Sequence, residues 1–90
     1  MVFDGRGASP AGVALALGMP IDALDGHDGY NPAKGHIGAP LLPAMLALAY
    51  RREISGADFL TALVLGYEFG SRASVAQHAT VNDYHTSGSW

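Results

Sequence analysis

Apolar residues fall into three runs along this chain, and each run has the spacing or length of a helix. The runs predict helices near residues 10–18, 40–52 and 56–77. The first helix opens with Ser9 as N-cap and with Pro10 at the first helical position, where a missing N–H costs nothing. Gly18 suits its C-terminal end. Because no run alternates as a strand does, the sequence predicts an all-α chain.

The second and third predicted helices each indicate a closely packed neighbour. The second has no polar face, which is typical of a buried helix, and Pro43 is tolerable only in its first turn. The third starts at Ser55 in a capping-box-like pattern with Asp58. Small residues recur along it at Ala62, Gly66, Gly70 and Ala73. Since glycine inside a helix costs up to about 1 kcal/mol, two glycines on one stripe indicate that another helix packs very close.

Ionisable residues concentrate between the first two helices, in residues 19–37, which are predicted to be mostly loop with one helical turn at 20–24. This segment holds carboxylates, imidazoles and an ammonium group, at Asp22, Asp25, His27, Asp28, Lys34 and His36. A second polar group, residues 82–87, includes His85. Such groups are costly to hold together unless they are paired or used, so the layout predicts a site on loops supported by buried helices.

Composition predicts a chain that buries surface against something else. Hydrophobic residues make up 49% and charged residues 14% of the 90 residues, whereas ordinary proteins carry about 25% charged residues. A single small domain of this kind has too little charge to cover its exterior. We therefore expect a piece of something larger, or a subunit with an extensive partner interface. Alone, it should expose apolar patches and associate.

Charge and cysteine content exclude several classes of function. The net charge of −3, with Arg51-Arg52 the one adjacent basic pair, argues against nucleic-acid binding. There is no cysteine for a disulfide or a thiolate metal site. The apolar run 38–50 is shorter than the about 20 residues that cross a bilayer, and no signal-peptide pattern opens the chain. A cytoplasmic, non-membrane protein is expected.

Three interpretations of the polar loop remain open from the residues alone. Asp25, His27 and Asp28 could bind a metal, although their spacing matches no recurring site and the EF-hand pattern fails. A histidine oriented by an aspartate could transfer a proton, with Lys34 holding an anionic substrate group. The aspartates could instead be turn formers and caps, with the histidines incidental. The role of His85 is open in the same way, and the sequence has no Gly-x-Ser-x-Gly nucleophile elbow that would pair it with a catalytic serine.

An ordered series of motifs resembles the MmgE/PrpD family over almost the whole chain. The motifs are Asp22-x-x-Asp25-Gly26-His27, Gly35-His36-x-Gly38-Ala39 with Pro43-Ala44, Ser55-Gly56-x-Asp58, Gly66-Tyr67-Glu68 with Arg72, and the region of Tyr84-His85. The family includes 2-methylcitrate dehydratase, cis-aconitate decarboxylase and iminodisuccinate epimerase. The resemblance implies a large helical domain, a smaller lid domain and usually a homodimer.

The resemblance also implies chemistry. Substrates would be small polycarboxylates, the shared step would be proton transfer at a carbon next to a carboxylate, and no metal or organic cofactor would be needed. Asp22, His36 and His85 would be the catalytic residues, while Asp25 and His27 flank them in the matching motif. Together with Lys34, these two are the candidate substrate-binding residues.

Some positions depart from the family pattern. Gly26-His27 stands where methylcitrate-type dehydratases have Thr-Trp, and Ile37 replaces the usual proline after the first histidine. Family chains are several times longer, so the chain is expected to be part of the large helical domain without the lid. The leading hypothesis is a fragment or split subunit of a lyase or isomerase, completed by the rest of the enzyme or a complementary subunit. The alternative is a catalytically inactive structural or binding remnant that folds on a partner chain.

Overall fold

The computed structural model describes residues 4–26 and 28–81, and these form three α-helices in the expected order. They are α1, Pro10–Ala23; α2, Gly38–Ala49; and α3, Gly56–Thr80; a short 3-10 helix, Asn31–Ala33, lies in the loop between α1 and α2. Within the described ranges the only β pairing is an isolated bridge between Tyr30 and Gly35. The prediction of an all-α chain is therefore confirmed.

The N-terminal ends of α1 and α3 follow from local sequence. The Ser9 hydroxyl accepts a hydrogen bond from the Gly12 N–H at 3.1 Å, and the Ser55 hydroxyl accepts one from the Asp58 N–H at 3.0 Å. Each bond satisfies one of the backbone donors that the first turn of a helix leaves without an intrahelical partner. Both predicted helix starts are correct for this reason.

The predicted end of α1 at Gly18 is wrong, because the helix continues through Pro20 to Ala23. A Cβ added to Gly18 would lie 3.5 Å from the Ala39 carbonyl oxygen, so the glycine lets α2 approach α1 closely. Pro20 removes a helical hydrogen bond at a cost of about 3 kcal/mol, which the packing of α1 against α2 must offset. Asp22 consequently lies on the last turn of α1, and the helical turn predicted at 20–24 is mostly the end of that helix.

The true end of α1 is a Schellman motif built on Asp25. Asp25 has a left-handed backbone, with φ of 51°. Its N–H donates to the Asp22 carbonyl at 3.1 Å, and the Gly26 N–H donates to the Ile21 carbonyl at 2.9 Å. Aspartate tolerates this conformation better than most non-glycine residues. The backbone role of Asp25 is therefore that of a helix-terminating residue.

The helix α2 is shifted from the predicted range 40–52 and runs from Gly38 to Ala49. Its start at Gly38 places Pro43 beyond the first turn, contrary to the prediction, and Pro43 is fully buried. The Ala39 carbonyl, which has no N–H donor at Pro43, is the group that lies against Gly18 of α1. Tertiary packing, rather than local preference, thus sets the position of this helix.

The small-residue stripe of α3 contacts the beginning of α2, as the stripe predicted. A Cβ on Gly66 would lie 2.6 Å from the Leu41 side chain, and one on Gly70 would lie 2.9 Å from Ile37. The helix itself extends to Thr80, three residues beyond the predicted 77. Through these contacts the middle of α3 packs closely against the N-terminal end of α2, beside the polar loop.

One face of α2 and much of α3 remain uncovered in this chain. Ala39, Pro43 and Ala47 of α2 are buried, while Leu46 is 42% and Leu48 is 56% exposed. The expectation that α2 is buried on all sides is therefore wrong for this chain taken singly. Large apolar residues of α3 are exposed as well: Leu60, Val64, Leu65, Phe69 and Val75. None of the helices among the described residues has the length and apolar character needed to cross a membrane.

Candidate active site

Asp28 joins the polar loop to both α2 and α3 through its carboxylate. Its Oδ1 accepts a hydrogen bond from the Gly38 N–H at 3.1 Å, and its Oδ2 accepts one from the Tyr67 hydroxyl at 2.6 Å. Gly38 is the first residue of α2, where Ile37 provides no side-chain cap. A carboxylate at this position satisfies a backbone donor and lies at the positive end of the helix dipole. Asp28 is therefore a cap for α2 supplied from ten residues upstream.

His36 is held by the backbone of the same residue. Its Nδ1 lies 2.9 Å from the Asp28 carbonyl oxygen, and the ring is half-buried. Because a carbonyl oxygen only accepts, Nδ1 must carry the proton in this contact, and the neutral ring then keeps its lone pair on Nε2. The arrangement thus selects one tautomer of His36, with Nε2 as the basic nitrogen.

The Tyr67 hydroxyl is a stable donor to Asp28. Partial burial, followed by the hydrogen bond to the Asp28 carboxylate and by its negative charge, raises the pKa of Tyr67 to about 12 from the ordinary 10.0. Each effect disfavours the phenolate, since it would be desolvated beside a carboxylate. Tyr67 therefore remains protonated throughout the neutral range and keeps donating to Oδ2.

Gly38 is the position where the cluster leaves no room for a side chain. A Cβ built there would collide with the Tyr67 hydroxyl oxygen and would lie 2.5 Å from Oδ1 of Asp28. Only glycine lets the loop carboxylate and the α3 hydroxyl meet above the first turn of α2. We call Asp28, His36, Gly38 and Tyr67 the Asp28 cluster.

The predicted site residues lie on different parts of this region. Asp22, on the last turn of α1, lines a groove of about 330 Å³ together with Ala39 and Pro40 at the start of α2. The other lining residues of this groove are Ala14, Leu15, Gly18 and Met19. Apart from the Asp22 carboxylate the lining side chains are apolar, so the groove has the character of a helix–helix crevice with one acidic group at its edge.

Asp25 and Lys34 both have left-handed backbones, with φ of 51° and 53°. Lys34 ends the 3-10 helix, its N–H donating to the Asn31 carbonyl at 3.0 Å. Asp25 and Lys34 therefore shape the loop that presents His36. The candidate residues His27 and His85 lie outside the described residues.

The sequence did not predict how the two residues that organise the cluster act together. Tyr67 lies in the Gly66-Tyr67-Glu68 motif, and nothing in that motif assigns it to the site. Its position three residues before Gly70, which packs against Ile37, places both residues on the helix face that meets the start of α2. Asp28 was considered as a metal ligand or a cap, and it is a cap. Among residues 4–26 and 28–81, no three His, Asp or Glu side chains lie together as a metal-binding group.

These features define an all-helical domain in which a polar loop presents a histidine of selected tautomer beside the entrance of a helix. The model of the MmgE/PrpD N-terminal domain matches residues 1–90. The chain belongs to the MmgE/PrpD family.

A curated relative is similar in sequence. Over 80 residues the chain is 36% identical to the cis-aconitate decarboxylase-like protein oryM of Aspergillus oryzae. The match covers 81% of this chain and 17% of that protein, so this chain spans a small part of the relative's length. No solved structure matches the chain.

Proposed function

We propose that this chain is part of a lyase or isomerase that moves a proton at a carbon next to a carboxylate of a small polycarboxylate. Family membership and the similarity to a cis-aconitate decarboxylase-like protein support the reaction class. The observation that carries the proposal is the contact between His36 Nδ1 and the Asp28 carbonyl. It makes Nε2 the basic nitrogen of the ring, which is the nitrogen that would take a proton from a substrate.

The mechanism follows from the weak acidity of such a carbon. A base near neutral pKa must take the proton, and cations or hydrogen-bond donors must stabilise the enediolate-like charge that develops. His36 supplies the base through Nε2, and His85 is the proposed second acid or base. Lys34 and His27 are the proposed contacts for a substrate carboxylate. Asp25 is the third proposed substrate-binding residue and, being anionic itself, would accept a hydrogen bond rather than meet a carboxylate.

Asp22 suits a different role from carboxylate binding. Its negative charge would repel a polycarboxylate, so at the edge of the groove it serves better to orient an imidazole or to accept a proton. Further cationic groups would come from the rest of a longer enzyme or from a second subunit, as in a homo-oligomer. The proposed reaction uses no metal or organic cofactor, so prolonged dialysis against a chelator should leave turnover unchanged.

A matched pair of substitutions tests the role of His36 in the full-length protein. His36→Asn places an amide N–H where Nδ1 donates but removes the basic nitrogen, whereas His36→Ala removes both. Both variants should lower kcat by roughly 10²–10⁴-fold, the usual contribution of a positioned acid or base. Only His36→Ala should also lower the thermal stability.

Solvent-deuterium exchange at the substrate α-carbon reads the proton step directly, with methylcitrate, cis-aconitate and iminodisuccinate as substrates. His78→Ala, on the last turn of α3, is the control for loss of an imidazole elsewhere. Undiminished exchange in His36→Asn would remove His36 from the mechanism.

A second candidate function is a structural remnant that folds on a partner chain and has no activity. The exposed apolar residues of α2 and α3 favour it, since such faces are typical of a surface that a partner covers. Turnover by the complex of this chain with its partner distinguishes the two, because the chain alone is expected to be inactive in either case. Loss of that turnover in His36→Asn would support the enzyme.

A further inference from the structure

The Asp28 cluster connects His36 to a side chain that lies 31 positions further along the chain. Asp28 uses its carbonyl oxygen for His36 and its two carboxylate oxygens for Gly38 and Tyr67. A single residue thus carries the contact that selects the His36 tautomer and the contacts that fix its own position. Loss of a carboxylate contact thus offers a route by which the position of the carbonyl, and with it the His36 contact, would change.

We infer that Tyr67 is a positioning residue for His36: its hydroxyl holds Asp28 in place, and Asp28 in turn holds Nδ1 of the imidazole. This inference rests on the proposed role of His36 and adds to it a residue on α3 that would not touch the substrate. It makes the histidine tautomer depend on how α3 packs against α2.

The hydroxyl–carboxylate contact is strong enough for such a role. An O–H···O⁻ bond of 2.6 Å lies in the range of charge-assisted hydrogen bonds, about 2.5–2.7 Å, which are roughly twice as strong as neutral ones. The Gly38 N–H contact is longer, at 3.1 Å. Tyr67 is therefore the stronger of the two groups that hold the carboxylate.

The helix that carries Tyr67 is itself held at close range. Gly66 and Gly70 lie on either side of Tyr67 in sequence and lack the Cβ atoms that would press into Leu41 and Ile37. Because these contacts fix α3 against the start of α2, the hydroxyl approaches Asp28 from a rigid element. Rigid elements position functional groups more accurately than loops do.

A purely structural role for Tyr67 makes a different prediction. If the hydroxyl only helped Asp28 to cap α2, its loss would lower stability but leave the His36 ring in the same tautomer. If it positions His36, its loss lets Asp28 relax, weakens the Nδ1–H···O=C contact and allows the Nε2-protonated ring to form. The ring nitrogen shifts of His36 in ¹⁵N NMR distinguish the two tautomers.

The test compares Tyr67→Phe with Tyr50→Phe in the full-length protein. Both changes remove one phenolic oxygen, but Tyr50 is 92% exposed at the end of α2, far along the helix from the cluster. Tyr67→Phe should shift the His36 ring nitrogens toward the other tautomer and lower kcat about tenfold to a hundredfold, as small misplacements of catalytic groups do. KM should change little, and Tyr50→Phe should match the parent protein.

The outcomes separate this inference from the proposed function. Ring nitrogen shifts in Tyr67→Phe that equal those of the parent would overturn the inference, whatever happens to turnover. Full activity in His36→Asn would instead defeat the proposed function, while a tautomer change in Tyr67→Phe would still report the coupling. Should Tyr67→Phe fail to fold, Asp28→Asn answers the same question, because a neutral amide weakens both contacts. A changed tautomer there supports the inference, and an unchanged one overturns it.

Discussion

The N-terminal end of α2 is closely packed, whereas the outward faces of α2 and α3 are exposed. At the N-terminal end, one carboxylate meets the Gly38 N–H and the Tyr67 hydroxyl, and there is no space for an added methyl group. On the outward faces, Leu48 is 56% and Phe69 is 76% exposed. The first region is closely packed by residues of this chain, whereas the second exposes large apolar side chains, as interaction surfaces commonly do. The chain therefore combines a closely packed support for the polar loop with exposed apolar helix faces.

We expect the largest loss of stability and activity from a substitution that adds a side chain at the N-terminal end of α2. In Gly38→Ala the new methyl group would collide with the Tyr67 hydroxyl and the Asp28 carboxylate. We expect a loss of about 1–3 kcal/mol in the free energy of unfolding, as is usual for overpacking, together with loss of turnover. Denaturant unfolding of the full-length protein measures the change in the free energy of unfolding.

Gly56→Ala is the matched control for this change, because a Cβ on Gly56, at the first position of α3, would meet nothing within 4 Å. It should be neutral or stabilising by up to about 1 kcal/mol, since alanine is the better helix former. Equal effects of the two substitutions would show that the entrance of α2 is not tightly packed.

A smaller effect, specific to the Tyr67–Asp28 contact, should appear at alkaline pH. The pKa of Tyr67 is raised from 10.0 to about 12 in the folded chain, so both folded and unfolded states are protonated below pH 10. Between these values the unfolded state loses its proton first and is favoured as the pH rises. The stability advantage of the parent over Tyr67→Phe should therefore be complete below pH 10 and shrink toward pH 12. Denaturant unfolding of both proteins at several pH values measures it; a constant difference would contradict the raised pKa.

The smallest change in stability is expected on the outward face. Phe69→Gln in the 90-residue chain should alter the free energy of unfolding by no more than about 0.5 kcal/mol, because the ring is already exposed. It should, however, reduce self-association in size-exclusion chromatography and the binding of hydrophobic dyes. Phe59→Gln, at a half-buried position of the same helix, should cost more stability. A large stability loss in Phe69→Gln would mean that a partner already covers this face.

Local signals were sufficient for the helix starts and the fold class. Ser9 and Ser55 accept the capping hydrogen bonds that their sequence context predicts, and these depend only on residues three positions away. The end of α1 could not be predicted in this way. Gly18 and Pro20 both suggest a stop, but the approach of α2 to Gly18 makes the continued helix favourable.

In the candidate site, too, some features follow from local sequence and others only from tertiary packing. The loop, its aspartates and His36 were evident from the sequence, and so was the family, which the comparison confirmed. The sequence alone determined which chemistry is present in this chain and where its helices begin, because both depend on neighbouring residues. Only the tertiary structure decided that the Asp28 carbonyl supports His36, and that Tyr67 takes part by holding the Asp28 carboxylate. The physical reason is that those contacts join loop, α2 and α3, groups brought together by packing rather than by spacing along the chain.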